Sequence, residues 1–213
     1  MSIQIAGGRK EKGIVIGNAF DKYGSRNPIV KWMMSGFHSA LSDLVAKAGP
    51  QTIHEIGCGE GYWVCKWSKA QYAARGSDFS SQVIDLARRN AAGQGVSTSL
   101  FQTGSIYDLL PSQDSADLLV CCEVLEHLEN PRAGLEALQR VACGHVILSV
   151  PREPIWRILN MSRGRYLRAF GNTPGHLQHW SKKGFCDLVG AYFEILEIKS
   201  PFPWTMLLCR PRD

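Results

Sequence analysis

No apolar run in this chain approaches the roughly 20 residues that a membrane-spanning helix requires, and nothing in it reads as a transmembrane segment. Residues 1–23 carry charges and glycines where a signal peptide needs an apolar centre. The expectation is therefore a soluble, cytoplasmic protein. Cysteine is present but unorganised: the seven cysteines are an odd number and no two form a Cys-x-x-Cys pair, which excludes a disulfide framework and a zinc ribbon and leaves small buried thiols. Acid is nearly missing from residues 152–183, where five arginines and two lysines face only Glu153, a local charge of +6 against +5 for the whole chain. Such a concentrated field suits an anionic partner better than a broad nucleic-acid footprint.

With 213 residues, 45% of them apolar, the chain can bury one substantial core. Residues 1–25 are polar and glycine-rich and read as an arm or lid. Asn27-Pro28 then opens an apolar-periodic segment ending near Gly49-Pro50, predicting one or two amphipathic helices. Together residues 1–50 form an expected arm and helical cap, with residues 51–213 as the core and a substrate-side insertion at 151–180. In that core the pattern alternates: strand 52–56, helix 61–71, strand 73–78, helix 80–92 capped by Ser80 or Ser81, a strand near 97–101, strand 117–122, helix 131–142 and strand 145–150. After the insertion come a helix at 182–189 and two strand-like runs at 192–198 and 204–209. The alternation predicts an α/β, doubly wound, seven-stranded and mostly parallel sheet, closed by a C-terminal antiparallel hairpin.

The first strand runs into Glu55-Ile56-Gly57-Cys58-Gly59-Glu60-Gly61. Alternate glycines at a strand-to-helix turn permit dihedrals denied to other residues, and a helix N-terminus just beyond supplies unpaired amides. Asp78, at the end of the next strand, stands where an acid accepts from ribose hydroxyls in an open α/β nucleotide site. A nicotinamide fingerprint would order its glycines Gly-x-Gly-x-x-Gly, which this chain does not.

These motifs, with Asp78-Phe79-Ser80 and the stretch 117–128 that contains Glu123-Val124-Leu125-Glu126-His127 before Pro131, resemble the Rossmann-like class I S-adenosylmethionine-dependent methyltransferases. The likeness is nearest to the small-molecule and lipid branch that includes the ubiquinone-biosynthesis enzymes, and it covers about residues 50–150. It implies S-adenosylmethionine as cofactor, with Gly57, Cys58, Gly59 and Gly61 under its methionine part, Glu55 ordering the loop or holding the amino group, and Asp78 with Phe79 on the ribose. Where relatives carry Gly-Asp, this chain has Gly104-Ser105-Ile106, so Ser105 and Ile106 are the expected adenine contacts. Glu123 falls beside the sulfonium.

Methyl transfer is a displacement in which the cofactor carries the electrophile, so the protein mainly aligns the reactants. An alcohol or phenol acceptor would gain from proton removal, and histidine suits that task. The candidates are His127, His176 and His179, the last two on one face of a short helix. Two histidines with no carboxylate placed beside them do not make a metal site, and none is expected. Arg152 and Arg157, with Trp180 and Tyr23, are the candidate acceptor contacts, since a guanidinium fork fits carboxylate or phosphate. The reading is methylation of a small, anionic or lipid-linked acceptor, preferentially on oxygen. Its alternatives are an RNA methyltransferase and a cofactor-binding protein without turnover. Aromatics among the arginines also allow peripheral membrane contact.

Overall fold

The structure, a computed structural model, describes residues 3–11 and 14–212. The parts of the expected arm at 1–2 and 12–13, and residue 213, lie outside the described residues. The chain begins with a two-residue ladder of β1 (Lys10–Glu11) and β2 (Ile14–Val15), followed by helix α1 (Pro28–Ala48). Strand β3 (Thr52–Ile56), helix α2 (Tyr62–Lys69), strand β4 (Ala73–Asp78), helix α3 (Ser81–Ala92) and strand β5 (Phe101–Thr103) form the first half of the core. The second half comprises α4 (Pro111–Asp114), β6 (Leu118–Cys122), α5 (Pro131–Val141) and β7 (His145–Pro151). Helices α6 (Ile155–Ser162) and α7 (Lys182–Gly190) and strands β8 (Phe193–Lys199) and β9 (Trp204–Pro211) complete it.

Seven strands form one sheet in the order β5-β4-β3-β6-β7-β9-β8, parallel except for β9, which runs antiparallel to both of its neighbours. This is the expected mostly parallel sheet with a terminal hairpin. Strand alternation divides the interior into two layers. Leu118 and Val120 of β6 face the core under α1 and α2, while Leu119 and Cys121 face the core under α5 and α7. The same period of two sorts Met206 and Leu208 from Leu207 and Cys209 in β9. A strand buried on both faces must be apolar at nearly every position, which is why β6 reads Leu-Leu-Val-Cys-Cys.

The helix boundaries follow local chemistry. Asn27 Oδ1 accepts from the amides of Ile29 and Val30, Pro28 fills the first turn, and Gly49 closes α1 in a left-handed conformation. The segment is thus a single helix of 21 residues, not two. Ser80, not Ser81, caps α3 by accepting from Val83 N at 3.2 Å. One strand is displaced from its expected place: residues 98–100 form a 3-10 turn, and β5 begins at Phe101. The reason is local, because Ser97 Oγ accepts from Ser99 N and draws the backbone into a turn.

The N-terminal arm lies against the core. Ile3, Ala6 and Ile16 are buried, and Ala6 and Ile16 pack with Val83 and Leu86 of α3. Its anchor is Glu60, which is 1% exposed and accepts from Ala6 N at 3.0 Å, Asn18 N at 2.7 Å and Asn18 Nδ2. Gly17 is obligatory there, since a Cβ would sit 2.4 Å from Glu60 Oε1 at a φ of +54°. Hydrogen bonds to charged groups contribute about 1.5–3 kcal/mol each, net of the water bonds they replace, and are not additive. Replacing Glu60 by alanine is expected to lower unfolding free energy by about 2–4 kcal/mol and to open the arm to protease. Chemical denaturation and mapped limited proteolysis check this, with the first cleavages falling between residues 3 and 25.

Candidate functional site

The chain leaves β3 at Ile56 and turns back on itself at the carboxyl edge of the sheet. The amides of Gly57 and Cys58 both donate to Ser77 O, at 2.8 and 3.0 Å, which fastens the loop to the end of β4. Gly57 has a φ of +79°, and a Cβ on it would come within 2.2 Å of Val124 Cγ2. At Gly61, with a φ of +81°, a Cβ would strike the Phe101 ring at 2.7 Å. Gly59 differs: its φ is +52°, but nothing lies within 4 Å of the Cβ position, so its side faces open space. Two glycines are therefore required by packing and dihedral together, and the third by dihedral while leaving room for a ligand.

Two acids flank this loop. Glu55 is 5% exposed, accepts from the Val64 amide, and has its Oε2 buried without a partner. Burial is the main reason that its carboxyl stands well above the usual carboxylate range, and the nearby Asp78 charge adds to it. Asp78 ends β4, its two oxygens accepting from Ser80 N at 3.0 Å and Gly59 N at 3.1 Å. Burial pushes it up to about 6 against the lowering effect of those amides. Each Asp78 oxygen retains a lone pair for a further donor. An ammonium would satisfy the orphaned oxygen of Glu55, and a pair of hydroxyls would complete Asp78, so the loop fits an amino-acid nucleoside. Phe79 is 43% exposed beside Asp78. The Cys58 thiol packs against Gly76 and burial keeps it neutral, so what it offers a ligand is backbone. Ser105 accepts from Tyr107 N and caps a 3-10 turn, while Ile106 joins the core beneath α5.

The second cluster sits just past β6. Glu123 adopts a φ of +60°, a strained conformation for a side chain of this size. It is held there by Ser149 Oγ, donating to Oε1 at 3.1 Å, and by Trp204 Nε1, donating to Oε2 at 2.6 Å. Three residues on, Glu126 is 1% exposed and neither carboxylate oxygen has a hydrogen-bond partner. Burial pushes both acids to about 8, with the Glu126 charge adding to the shift at Glu123. His127 Nδ1 lies 2.8 Å from Gly175 O; because a carbonyl only accepts, that nitrogen carries the proton and Nε2 keeps its lone pair. His176 packs edge-on to His127 with ring centroids 4.9 Å apart, and Trp156 stacks on its other side at 6.0 Å. Burial first, then the neighbouring His127 and His179, lower the His176 pKa to about 3. One ligand atom from each of Glu126, His127 and His176 lies within 4.8 Å of the others.

The backbone explains why residues so distant in sequence meet. Glu126 O accepts from Leu177 N at 2.8 Å and Gln178 N at 3.0 Å, which pins 175–178 onto the turn after β6. The expected helix carrying His176 and His179 is absent because this stretch is spent on those bonds. The two histidines part company: His179 is exposed and bonds Asn172 Oδ1 at 2.7 Å through Nε2. Trp180 packs on Phe185, and its carbonyl accepts from Glu153 N. Arg157 donates to Phe170 O at 2.8 Å, so its guanidinium braces the insertion. Arg152, joined to Trp180 by an isolated parallel bridge outside the strands of the sheet, keeps a buried Nε without a partner. Tyr23 stacks on Tyr62 with centroids 3.7 Å apart, over the start of α2. Sequence reasoning missed Glu126, the carboxylate it had not placed beside the histidines. Its signal was present in the spacing Glu123-x-x-Glu126-His127, which sets two acids one turn apart.

Comparison with known proteins agrees with this geometry. A family model described as a methyltransferase domain matches residues 54–148. The chain is similar to the ubiquinone biosynthesis O-methyltransferase of Methylococcus capsulatus, 26% identical over 159 residues, or 67% of this chain and 65% of that one. The enzyme of the same description from Alkalilimnicola ehrlichii is 26% identical over 151 residues, 64% and 60% of the two chains. The matches thus span somewhat less than two thirds of these relatives. Among solved structures, magnesium protoporphyrin IX methyltransferase of Synechocystis with bound SAH superposes with a TM-score of 0.65 at 19% identity, covering 88% of this chain and 89% of that one. Residues 54–148 thus match a methyltransferase-domain model, within a sheet that has the architecture of the class I S-adenosylmethionine-dependent methyltransferases, and the chain is similar in sequence to O-methyltransferases.

Proposed function

We propose that this protein transfers the methyl group of S-adenosylmethionine to a hydroxyl of a small acceptor, assisted by a divalent cation held by Glu126, His127 and His176. One observation carries the reading: a carboxylate buried with both oxygens unpartnered, beside two histidines whose rings are fixed from outside. A buried carboxylate without donors is costly unless a cation meets it. The His127 proton engaged by Gly175 O is the outer contact that typically orients a ligating imidazole. Imidazole with carboxylate suits manganese, iron or zinc better than magnesium.

The cofactor supplies the electrophilic methyl, and Glu55 with Asp78 would hold its ammonium and ribose so that the sulfonium points toward the second cluster. A cation on the cluster would lower the pKa of a hydroxyl bound to it, as a Lewis acid does for water. Glu123, immobilised by Ser149 and Trp204, would border the cation cluster three residues before Glu126. Trp156, which stacks on His176, also packs against Trp204 with ring centroids 5.8 Å apart and would offer the acceptor an aromatic surface. Alignment then lowers the barrier, by about 7–11 kcal/mol at the favourable limit of proximity.

The relatives described as ubiquinone biosynthesis O-methyltransferases support oxygen as the accepting atom. A small acceptor is favoured over RNA because two arginines of the basic insertion are engaged internally: Arg157 with Phe170 O, and Arg163 with Leu159 O and Asn160 Oδ1. No described helix is long and apolar enough to cross a membrane.

Substituting Glu126→Gln or His176→Ala is expected to abolish stoichiometric metal binding by elemental mass spectrometry and to lower kcat by about 100-fold, with affinity for S-adenosylhomocysteine unchanged. Full turnover of metal-free protein in chelator would reject the cation, and absence of S-adenosylhomocysteine binding would reject the cofactor. A second outcome concerns pH. Ribose hydroxyls need Asp78 as a carboxylate, and its pKa is raised to about 6 in the free protein. Protonation of Asp78 therefore competes with binding, and its contribution should appear as affinity falling about tenfold per pH unit well below that value, on top of any dependence from Glu55. Calorimetry with S-adenosylhomocysteine across this range, and loss of the slope in Asp78→Asn, checks the assignment.

A further inference from the structure

Helix α6 sends two N–H donors from one face to a single oxygen. Trp156 and Asn160 stand four residues apart, and so on the same side of the helix. Both donate to Thr173 Oγ1, Trp156 through Nε1 at 2.9 Å and Asn160 through Nδ2 at 3.0 Å. Those bonds occupy both lone pairs of the hydroxyl. Asn160 is itself held. It is 2% exposed, its Nδ2 also donates to Gly171 O at 2.9 Å, and its Oδ1 accepts from Arg163 Nη2 at 2.8 Å. Helix and loop are thereby clamped at one side chain.

Thr173 opens the turn Thr173-Pro174-Gly175-His176. His176 N donates to Thr173 O at 3.0 Å, and Gly175 follows the proline with a φ of +95°. Proline and then a residue of positive φ form the centre of a type II turn, where glycine meets the second requirement. The turn presents two groups to the cluster after β6. Gly175 O meets His127 Nδ1 at 2.8 Å, and the His176 ring stands edge-on to that of His127. Trp156 reaches the same place a second way, since its ring stacks on His176 with the planes 22° apart. Beyond the turn, Glu126 O accepts from Leu177 N and Gln178 N and closes the loop from the other end. Four residues thus fix one imidazole through a carbonyl and carry the other, and the Thr173 hydroxyl ties them to α6.

We propose that Thr173 is a positioning residue for the cation cluster: its hydroxyl, clamped by Trp156 and Asn160, sets the turn that holds His127 and His176 against Glu126. The consequence for the cation rests on the reading given under the proposed function, whereas the clamp and the turn stand on their own hydrogen bonds. Removing the hydroxyl leaves two donors of α6 without an acceptor and frees the turn to shift. Contacts that orient ligating imidazoles from outside govern metal affinity by about 10–100-fold.

The test compares the full chain with Thr173→Val, which keeps the shape and removes the acceptor, and with Thr173→Ser, which keeps the hydroxyl. Cobalt(II) affinity is measured by competition with a chromogenic chelator, and the visible cobalt bands report ligand geometry. Nitrogen–proton correlation NMR of the metal-free chain reads which nitrogen of His127 carries the proton. In Thr173→Val the expected result is a loss of about 10–100-fold in cobalt affinity, displaced bands and a mixture of His127 tautomers. Thr173→Ser should recover all three, with S-adenosylhomocysteine affinity unchanged in both variants. A folded Thr173→Val with the affinity, bands and tautomer of the original chain overturns the proposal, and so does a loss that Thr173→Ser leaves in place. Should Thr173→Val fail to fold, Trp156→Phe, which keeps a ring beside His176 and removes one of the two donors, is judged by the same measurements. If the original chain binds no cobalt, the cation reading falls, and the His127 tautomer in the variants alone decides the role of Thr173.

Discussion

Carboxylates buried along the carboxyl edge of one sheet are the constraint around which this molecule is arranged. A desolvated acid must find donors, share a proton or meet a cation. Glu60 finds its donors in the N-terminal arm, and that requirement folds the arm down. Asp78 finds them in the amides of Gly59 and Ser80, which closes the glycine loop. Glu123 takes Ser149 and Trp204, and thereby joins β7 to β9 beside the turn after β6. Glu55 and Glu126 retain unpartnered oxygens. Structure is built where the protein supplies the counterpart, and a binding place is left where it does not.

In the proposed reaction the two unsatisfied acids would serve different ligands, Glu55 the cofactor and Glu126 the cation. Glu55 stands below the loop that fits an amino-acid nucleoside, and Glu126 stands among imidazoles whose outer contacts are already made. Glu123, three residues before Glu126, adopts a left-handed conformation. The strain is tolerated because two hydrogen bonds and the surrounding packing over-determine it. A rigid anchor of this kind favours alignment over proton shuttling, which agrees with a displacement whose electrophile arrives on the cofactor.

Much of this was legible in the sequence because it depends on short-range pattern. Alternate glycines after a strand, an acid closing the next strand, and apolar runs alternating with helical periodicity each specify backbone locally. The sheet and its terminal hairpin follow from that order. What escaped depends on contacts between distant segments. Histidines three apart, at 176 and 179, suggest a short helix, yet the Glu126 carbonyl captures the amides of Leu177 and Gln178 between them and leaves His176 buried and His179 exposed. The arginines of the insertion were read by charge alone, whereas Arg157 is engaged by a carbonyl 13 residues away. Ser97 shows the opposite failure, a purely local turn overlooked beneath a strand-like composition.

The antiparallel strand has a bearing on the order of assembly. Trp204 opens β9, the strand that enters the sheet between β7 and β8, and its indole fixes Glu123. The loop fitted to the cofactor needs only β3, β4 and the helix between them, all translated early. The Glu123 anchor cannot be finished until residue 204 has left the ribosome and its strand has inserted. A nascent chain with β7 as an open edge would therefore present half a site and a sticky margin at the same moment. One late strand both fixes Glu123 and joins β7 to β8 in the sheet.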